Sequence, residues 1–263
     1  MKNKRQFQFG LVLLALVLLP SLFAPWLTPH PPEAIPALVT PHAPPSTRHW
    51  LGTDQLGRDV FSRVVHGGRL SLFIALAATA GAICLGGLYG AVAGYAGGWV
   101  DRVLMDVVDI LLSVPLFFLV ITLLAVVGGG LHWLVLILIL GSWMDIARLV
   151  RAQVLTLKQQ PFIFKARATG LPRRRILFHH LLPNLFATLL AAAILRSADV
   201  LLAESALSFL GLGAQPPTAS WGTILHDGKA VMATAWWVSI FPGLAIVLTV
   251  LSLHWIGESL HSR

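Results

Sequence analysis

Long apolar runs separated by short polar or basic segments dominate the chain. A helix needs about 20 mostly apolar residues to cross the hydrocarbon layer. Six stretches have that character, at residues 7–27, 70–95, 103–127, 131–150, 184–211 and 231–256, the fifth being the least uniform. The runs are continuous, whereas a barrel strand would alternate over about ten residues. The pattern therefore predicts an all-α membrane protein of about six transmembrane helices, since a helix satisfies its backbone polar groups without water.

Composition agrees with this reading. Of 263 residues, 56% are hydrophobic and 11% charged, against about 25% charged in a soluble domain. The net charge of +8 does not point to nucleic acid, because the basic residues flank apolar runs instead of interleaving with aromatics on a polar domain. Cys84 is the single cysteine, which rules out an intrachain disulfide and a cysteine-based metal site. The basic start before the first run has the look of a secretory signal. Residues 19–25 offer no small-x-small cleavage site, however, so a retained first span is expected.

Basic residues set the expected orientation. Lys2, Lys4 and Arg5 precede the first run, and eight more (Arg148, Arg151, Lys158, Lys165, Arg167, Arg173, Arg174 and Arg175) follow the fourth without an intervening acid after Asp145. Both regions are expected in the cytoplasm. With six crossings both termini lie inside and residues 28–69 and 212–230 outside. The chain then divides into a cytoplasmic N-terminus with the first helix (1–27), an external segment (28–69), a five-helix core (70–258) containing a cytoplasmic loop (151–183), and a cytoplasmic C-terminus (259–263). Trp26, Trp99, Trp133, Trp236, Trp237 and Trp255 fall near span ends, where indole faces both lipid and water; Trp143 does not.

Outside, Pro29 to Pro45 contains seven prolines, a composition that favours an extended spacer. The next segment, Leu51-Gly-Thr-Asp-Gln-Leu-Gly-Arg-Asp59, reads as the start of a short amphipathic helix lying on the membrane surface and capped by Thr53 or Asp54. Asp54/Arg58 and Asp59/Arg63 have i,i+4 spacing. Inside, Pro161, Gly170 and Pro172 predict a helix, a left-handed stop and a second helix. That projection can serve as a lever for a partner, or simply be a solvated positive-inside loop.

Gly170, with Ile176, His180 and Pro183 downstream, resembles the cytoplasmic loop of binding-protein-dependent ATP-binding-cassette importer permeases. The residue 51–59 segment (Gly52, Thr53, Asp54, Gly57, Arg58, Asp59) and the run Glu204-Ser-Ala-Leu-Ser-Phe-Leu-Gly-Leu-Gly-Ala-Gln-Pro-Pro-Thr-Ala-Ser-Trp-Gly222 resemble the second permease of dipeptide, oligopeptide and nickel importers. So does Phe241-Pro-Gly-Leu-Ala-Ile-Val-Leu-Thr-Val250, and the resemblance spans about residues 49–258. It implies a coupling helix seated on a cytoplasmic ATPase, two ATPase subunits, a second permease subunit, an external solute-binding protein and a bacterial inner-membrane location. ATP and Mg would be bound by the ATPases, with no cofactor on this chain. Where the family loop reads Glu-Ala-Ala, this chain has Phe164-Lys165-Ala166, so the acidic residue is missing.

No Gly-x-x-x-x-Gly-Lys-Ser/Thr loop occurs, and Gly128-Gly-Gly130 lacks the following Lys, so energy must come from partners. Arg196, Asp199 and Glu204 are costly inside a membrane and mark either a solute route or internal packing. Asp106, Asp109 and Asp145 are expected near cytoplasmic ends, paired with Arg102 or Arg148. The histidines His30, His42, His49 and His66 show no compact ligand spacing, and adjacent His179 and His180 point ~100° apart on a helix, so no metal site is expected. Peptide import is the leading function, nickel or metal-chelate import the nearer alternative, and a passive channel or ion-coupled carrier the alternative from another class.

Overall fold

A computed structural model describes residues 2–35, 40–128 and 130–261. Regular structure in these residues is helical apart from one isolated bridge between Thr53 and Asp59. The order is α1 (Lys2–Leu22), α2 (Ala24–Leu27), α3 (Val60–Ala96), α4 (Gly98–Leu112), α5 (Leu116–Val127), α6 (Leu131–Leu157), α7 (Pro161–Ala168), α8 (Arg173–Arg175), a π-helical turn at Ile176–Leu181, α9 (Leu182–Phe209), α10 (Trp221–Lys229) and α11 (Trp237–His261). Among the described residues five helices are long and apolar enough to span a membrane, and six if α4 and α5 form one broken span.

The break between α4 and α5 bends the chain by 79°, where the apolar pattern alone predicts one straight span over 103–127. Pro115 supplies the reason. It has no N–H to donate and disfavours helical backbone at Val114, so α4 ends with Ser113 Oγ donating to Ile110 O at 2.6 Å, and α5 starts afresh at Leu116.

The centre of the bundle is the parallel pair α3 and α6. Gly86, Gly90 and Gly94 recur every fourth residue along α3, each directed at α6. A Cβ at Gly86 would strike the carbonyl oxygen of Trp143, and one at Gly90 that of Ala147; one at Gly94 would stand 2.9 Å from that of Arg151. The three carbonyls also recur every fourth residue, so one ridge of bare backbone seats against another, the close approach that small residues permit between membrane helices. Trp143, the tryptophan that fits no span end, is buried at this seam with its ring edge on Tyr89, centroids 4.8 Å apart. Tyr89 in turn donates to Leu104 O at 3.0 Å and ties α4 to the pair.

Around this centre α9 packs on α3 and α6, α11 on α9, and α1 on α11. Gly10 meets Ile256 and Ser252 O there, while Leu16, Leu19 and Leu22 on the other side of α1 stay exposed. That outward apolar surface is what lipid covers. Trp26 and Trp99 are exposed at helix ends as expected, whereas Trp237 is buried.

The two ends of the bundle differ. Chain direction brings both termini and the segment 158–181 to one end, the basic end, with Arg5, Gln6, Phe9 and Trp255 sharing a depression. The other end carries residues 28–35, 40–59 and 210–236, which close over the bundle as a collar. Residues 36–39, part of the proline-rich stretch, fall outside the described residues, and its remaining part forms turns without helix or strand.

Gly90→Ala is expected to destabilise the fold by about 1–3 kcal/mol through overpacking. Gly87, one residue away, has open space where its Cβ would be, so Gly87→Ala should change stability by less than about 0.5 kcal/mol. Thermal unfolding of the detergent-solubilised variants, followed by tryptophan fluorescence, checks the pair.

Candidate functional site

The collar is built on residues 51–59, and its form corrects the helix expected there. The segment is a looped turn; α3 begins only at Val60. Gly52 and Gly57 both have φ +76°, a left-handed conformation in which a side chain is strained. At Gly52 a Cβ would also meet Trp237 Nε1 at 2.6 Å and Ala43 O at 2.7 Å. Between the glycines Asp54 does not cap a helix: its Oδ1 accepts from Leu56 N at 2.8 Å and Arg58 N at 3.0 Å, closing the turn. Asp59 takes the cap, its Oδ2 accepting from Ser62 N and Ser62 Oγ, both at 2.8 Å. Thr53 is a clamp for the preceding strand of loop, accepting at Oγ1 from Ala43 N at 2.8 Å and donating to Thr40 O at 3.0 Å.

The ion pairs also differ from helical spacing. Arg58 Nε donates to Asp54 Oδ2 at 2.7 Å, as the i,i+4 spacing suggests. Arg63, however, turns away from Asp59 and donates to Asp54 Oδ2 at 2.5 Å and Asp227 Oδ2 at 2.9 Å. Arg58 Nη2 reaches the same Asp227 oxygen at 3.2 Å. Two arginines and two aspartates, of which only Asp227 is partly exposed, thus form a balanced square that fastens the 51–59 loop and α3 to α10. Trp237 Nε1 donates to Thr53 O at 3.1 Å, and Trp221 Nε1 to Val64 O at 2.9 Å. Asp227 is the collar residue that sequence reasoning missed; the sequence marks Trp237 only as a span-end tryptophan and Trp221 only as part of the run ending at Gly222, neither with a role in the collar.

Below the collar Glu204 is fully buried. Ser208 Oγ donates to its Oε1 at 2.7 Å and Ser71 Oγ to its Oε2 at 3.0 Å, with Ser205 Oγ at 3.4 Å. Ser71 Oγ also accepts from Trp221 N at 3.2 Å. The carboxyl therefore joins α9, α3 and the start of α10.

Arg196 and Asp199 separate from Glu204. Arg196 Nη2 donates to Asp145 Oδ2 on α6 at 2.9 Å, with Asp199 at 3.6 Å, so Asp145 pairs across to α9 and not with Arg102 or Arg148. The side chains of Asp145 and Asp199 are 46% and 55% exposed. Arg196 and Asp199 line a cavity of about 180 Å³ with Phe117, Ser142 and Leu207. These side chains make a partly exposed polar face at mid-bundle.

At the basic end several cations are spent internally. Arg151 makes a two-pronged pair with Asp101, both bonds at 2.8 Å, Arg148 pairs with Asp109, and Lys158 Nζ donates to Gly94 O at 2.9 Å and Tyr95 O at 3.0 Å, closing the C-terminus of α3. Beyond them α7 starts at Pro161 and the chain reverses at Gly170 with φ +74°. Ile163 and Ala166 on α7 and Ile176 on the π-helical turn are buried in one cluster with Val150, Val154 and Leu185. Phe164 and Lys165 are exposed on the opposite side, as are Phe178 and Pro183, while His180 is half-buried. The loop is thus a short helix with a buried keel and a projecting apolar and cationic edge. The π-helical turn, which had no signal in the apolar pattern, re-phases the chain between α8 and α9.

The collar also gathers histidines that lie far apart in sequence: His30, His49 and Asp59 each offer a ligand-type atom within 4.8 Å of the others.

A family profile described as binding-protein-dependent transport system inner membrane component matches residues 86–263. The dipeptide transport system permease protein DppC of Alkalihalophilus pseudofirmus is 38% identical over 262 residues, covering 98% of this chain and 84% of that protein. The DppC of Bacillus subtilis is 36% identical over 261 residues (99% and 81%), and its oligopeptide transport system permease protein OppC 36% over 259 residues (98% and 85%).

Removing one member of a buried ionic cluster strands the others. Asp54→Asn should therefore cost about 3–5 kcal/mol, seen as a lower melting temperature and as earlier protease cleavage in the 28–59 segment. An exposed change such as Lys165→Ala should leave both readouts unchanged.

Proposed function

Because the chain belongs to the family of binding-protein-dependent transport system inner membrane components, we propose that it forms one half of the path by which an ATP-driven importer carries short peptides into the cytoplasm. A second permease supplies the other half, two cytoplasmic ATPase subunits bind ATP and Mg, and an external binding protein delivers the peptide to the collar. The basic end, with both termini, faces the cytoplasm, in keeping with the excess of Lys and Arg there.

The observation that carries this reading is the shape of the α7 loop. A lever must be rigid where it joins the spans and sticky where it meets its driver. Ile163 and Ala166 bury α7 against the ends of α6 and α9, while Phe164 and Lys165 stand free of the fold. When the ATPase pair closes on nucleotide, motion of α7 passes to α6 and α9, the two helices that carry Asp145, Arg196 and Asp199. Those charges need a polar or charged neighbour in a membrane, which a solute path shared with the second permease provides. The family's acidic loop residue is replaced here, so docking rests on Phe164 as an apolar plug and on Lys165 opposite an ATPase carboxylate.

Peptide is the favoured solute because the relatives described above are named for dipeptide and oligopeptide transport; nickel gains no support from them. A passive channel would leave the α7 edge without a purpose.

Uptake of a labelled dipeptide by proteoliposomes holding the whole importer should require ATP and the binding protein, and equilibration without ATP would refute the reading in favour of a channel. Phe164→Ala should weaken retention of the ATPase subunits about tenfold or more, as truncation of an interface anchor does, with the permease still folded. Asp199→Asn should lower uptake while leaving ATPase retention intact, which separates the path from the coupling edge in the same assay.

A further inference from the structure

Asp59 is the one buried collar carboxylate that the arginine square leaves out. It is 3% exposed, yet among the described residues its partners are Ser62, through Oδ2, and His49 Nδ1, at 2.9 Å from Oδ1. Arg58 and Arg63 are committed to Asp54 and Asp227. With His49 Nδ1 engaged by Asp59, the other ring nitrogen, Nε2, is turned inward.

Among the described residues that buried Nε2 has no hydrogen-bond partner, nor has the buried Nδ1 of His30, whose ring centroid lies 5.0 Å from that of His49. Two buried ring nitrogens that face each other's neighbourhood without a partner are the arrangement that a cation held by the imidazoles would complete.

We propose that the collar binds one divalent first-row transition-metal ion through the imidazoles of His30 and His49, with Asp59 orienting His49 and supplying the balancing charge. Imidazole nitrogens select zinc-like ions over magnesium or calcium, which take oxygen ligands. A carboxylate behind a ligating histidine fixes its tautomer and raises its basicity. The present atom set, within 4.8 Å, is wider than the roughly 3.4 Å between neighbouring ligands of a tetrahedral zinc ion. Half-buried His30, on the loop after α2, is the member able to close that gap. Occupancy would pin residues 28–35 to the N-terminus of α3, so the ion acts as a removable staple on the collar. None of this depends on which solute crosses the membrane.

The test uses the full-length chain in nanodiscs, stripped with chelator and titrated with zinc chloride against a competing indicator dye. One zinc per chain is expected. His30→Gln and Asp59→Asn should each weaken binding about tenfold or more, and His226→Gln, which alters another collar histidine, should not. Cobalt loaded into the same site should give visible d–d bands that His30→Gln abolishes. Because His30 is half-buried and bears no cap or ion pair, that variant reports binding even if Asp59→Asn disturbs the start of α3. Absence of stoichiometric zinc in the unaltered chain, or equal affinity in His30→Gln, overturns the proposal and leaves water as the occupant.

Discussion

The close seating of α3 on α6 is the constraint on which the rest depends. In lipid there is no hydrophobic gain from bringing two apolar helices together, so contact must come from dispersion and shape. The row Gly86, Gly90, Gly94 lets the backbones meet at the carbonyls of residues 143, 147 and 151. α3 is 37 residues long and therefore reaches both ends of the bundle. Its first turn holds the collar through Asp59 and Arg63, and its last carbonyls accept Lys158 from the far end of α6. One rigid pair thereby sets the distance between the collar and the α7 loop.

Charge is handled differently at each level. In the collar, burial is compensated by pairing: two arginines share two aspartates, and Glu204 rests among serine hydroxyls. At mid-bundle, Asp145, Arg196 and Asp199 are only partly compensated and open outward. At the basic end, pairing consumes Arg148, Arg151 and Lys158 and leaves Lys165 projecting. Charge is thus fully compensated where it is buried and less so where it is exposed. Glu204 is enclosed by hydroxyl groups while Arg196 and Asp199 are partly exposed, although all three sit within nine residues of one helix.

The coupling loop follows the same economy of parts. Its buried residues, Ile163, Ala166 and Ile176, belong to the bundle, and its exposed ones, Phe164 and Lys165, do not. A single turn of helix separates the buried side from the exposed one, which is why a substitution at the exposed edge need not loosen the spans.

The sequence by itself determined the helical class, the number and approximate places of the spans, the shared end of both termini and the helix–Gly170–helix plan of the loop, because hydropathy runs, basic flanks and Pro/Gly punctuation act locally. Local reasoning failed where the decisive partner was distant. It read residues 54–64 as one helix because Asp54/Arg58 and Asp59/Arg63 have helical spacing, but Asp227 draws Arg63 away and Trp237 presses on Gly52. It ran one span through Pro115, where a local signal was present and the apolar count overrode it. It found no ligand spacing among the histidines, since His30 and His49 meet only when the collar closes. Which charges are buried, which are paired and which remain available was decided by tertiary structure alone, because compensation is a property of neighbours in space and not of neighbours along the chain.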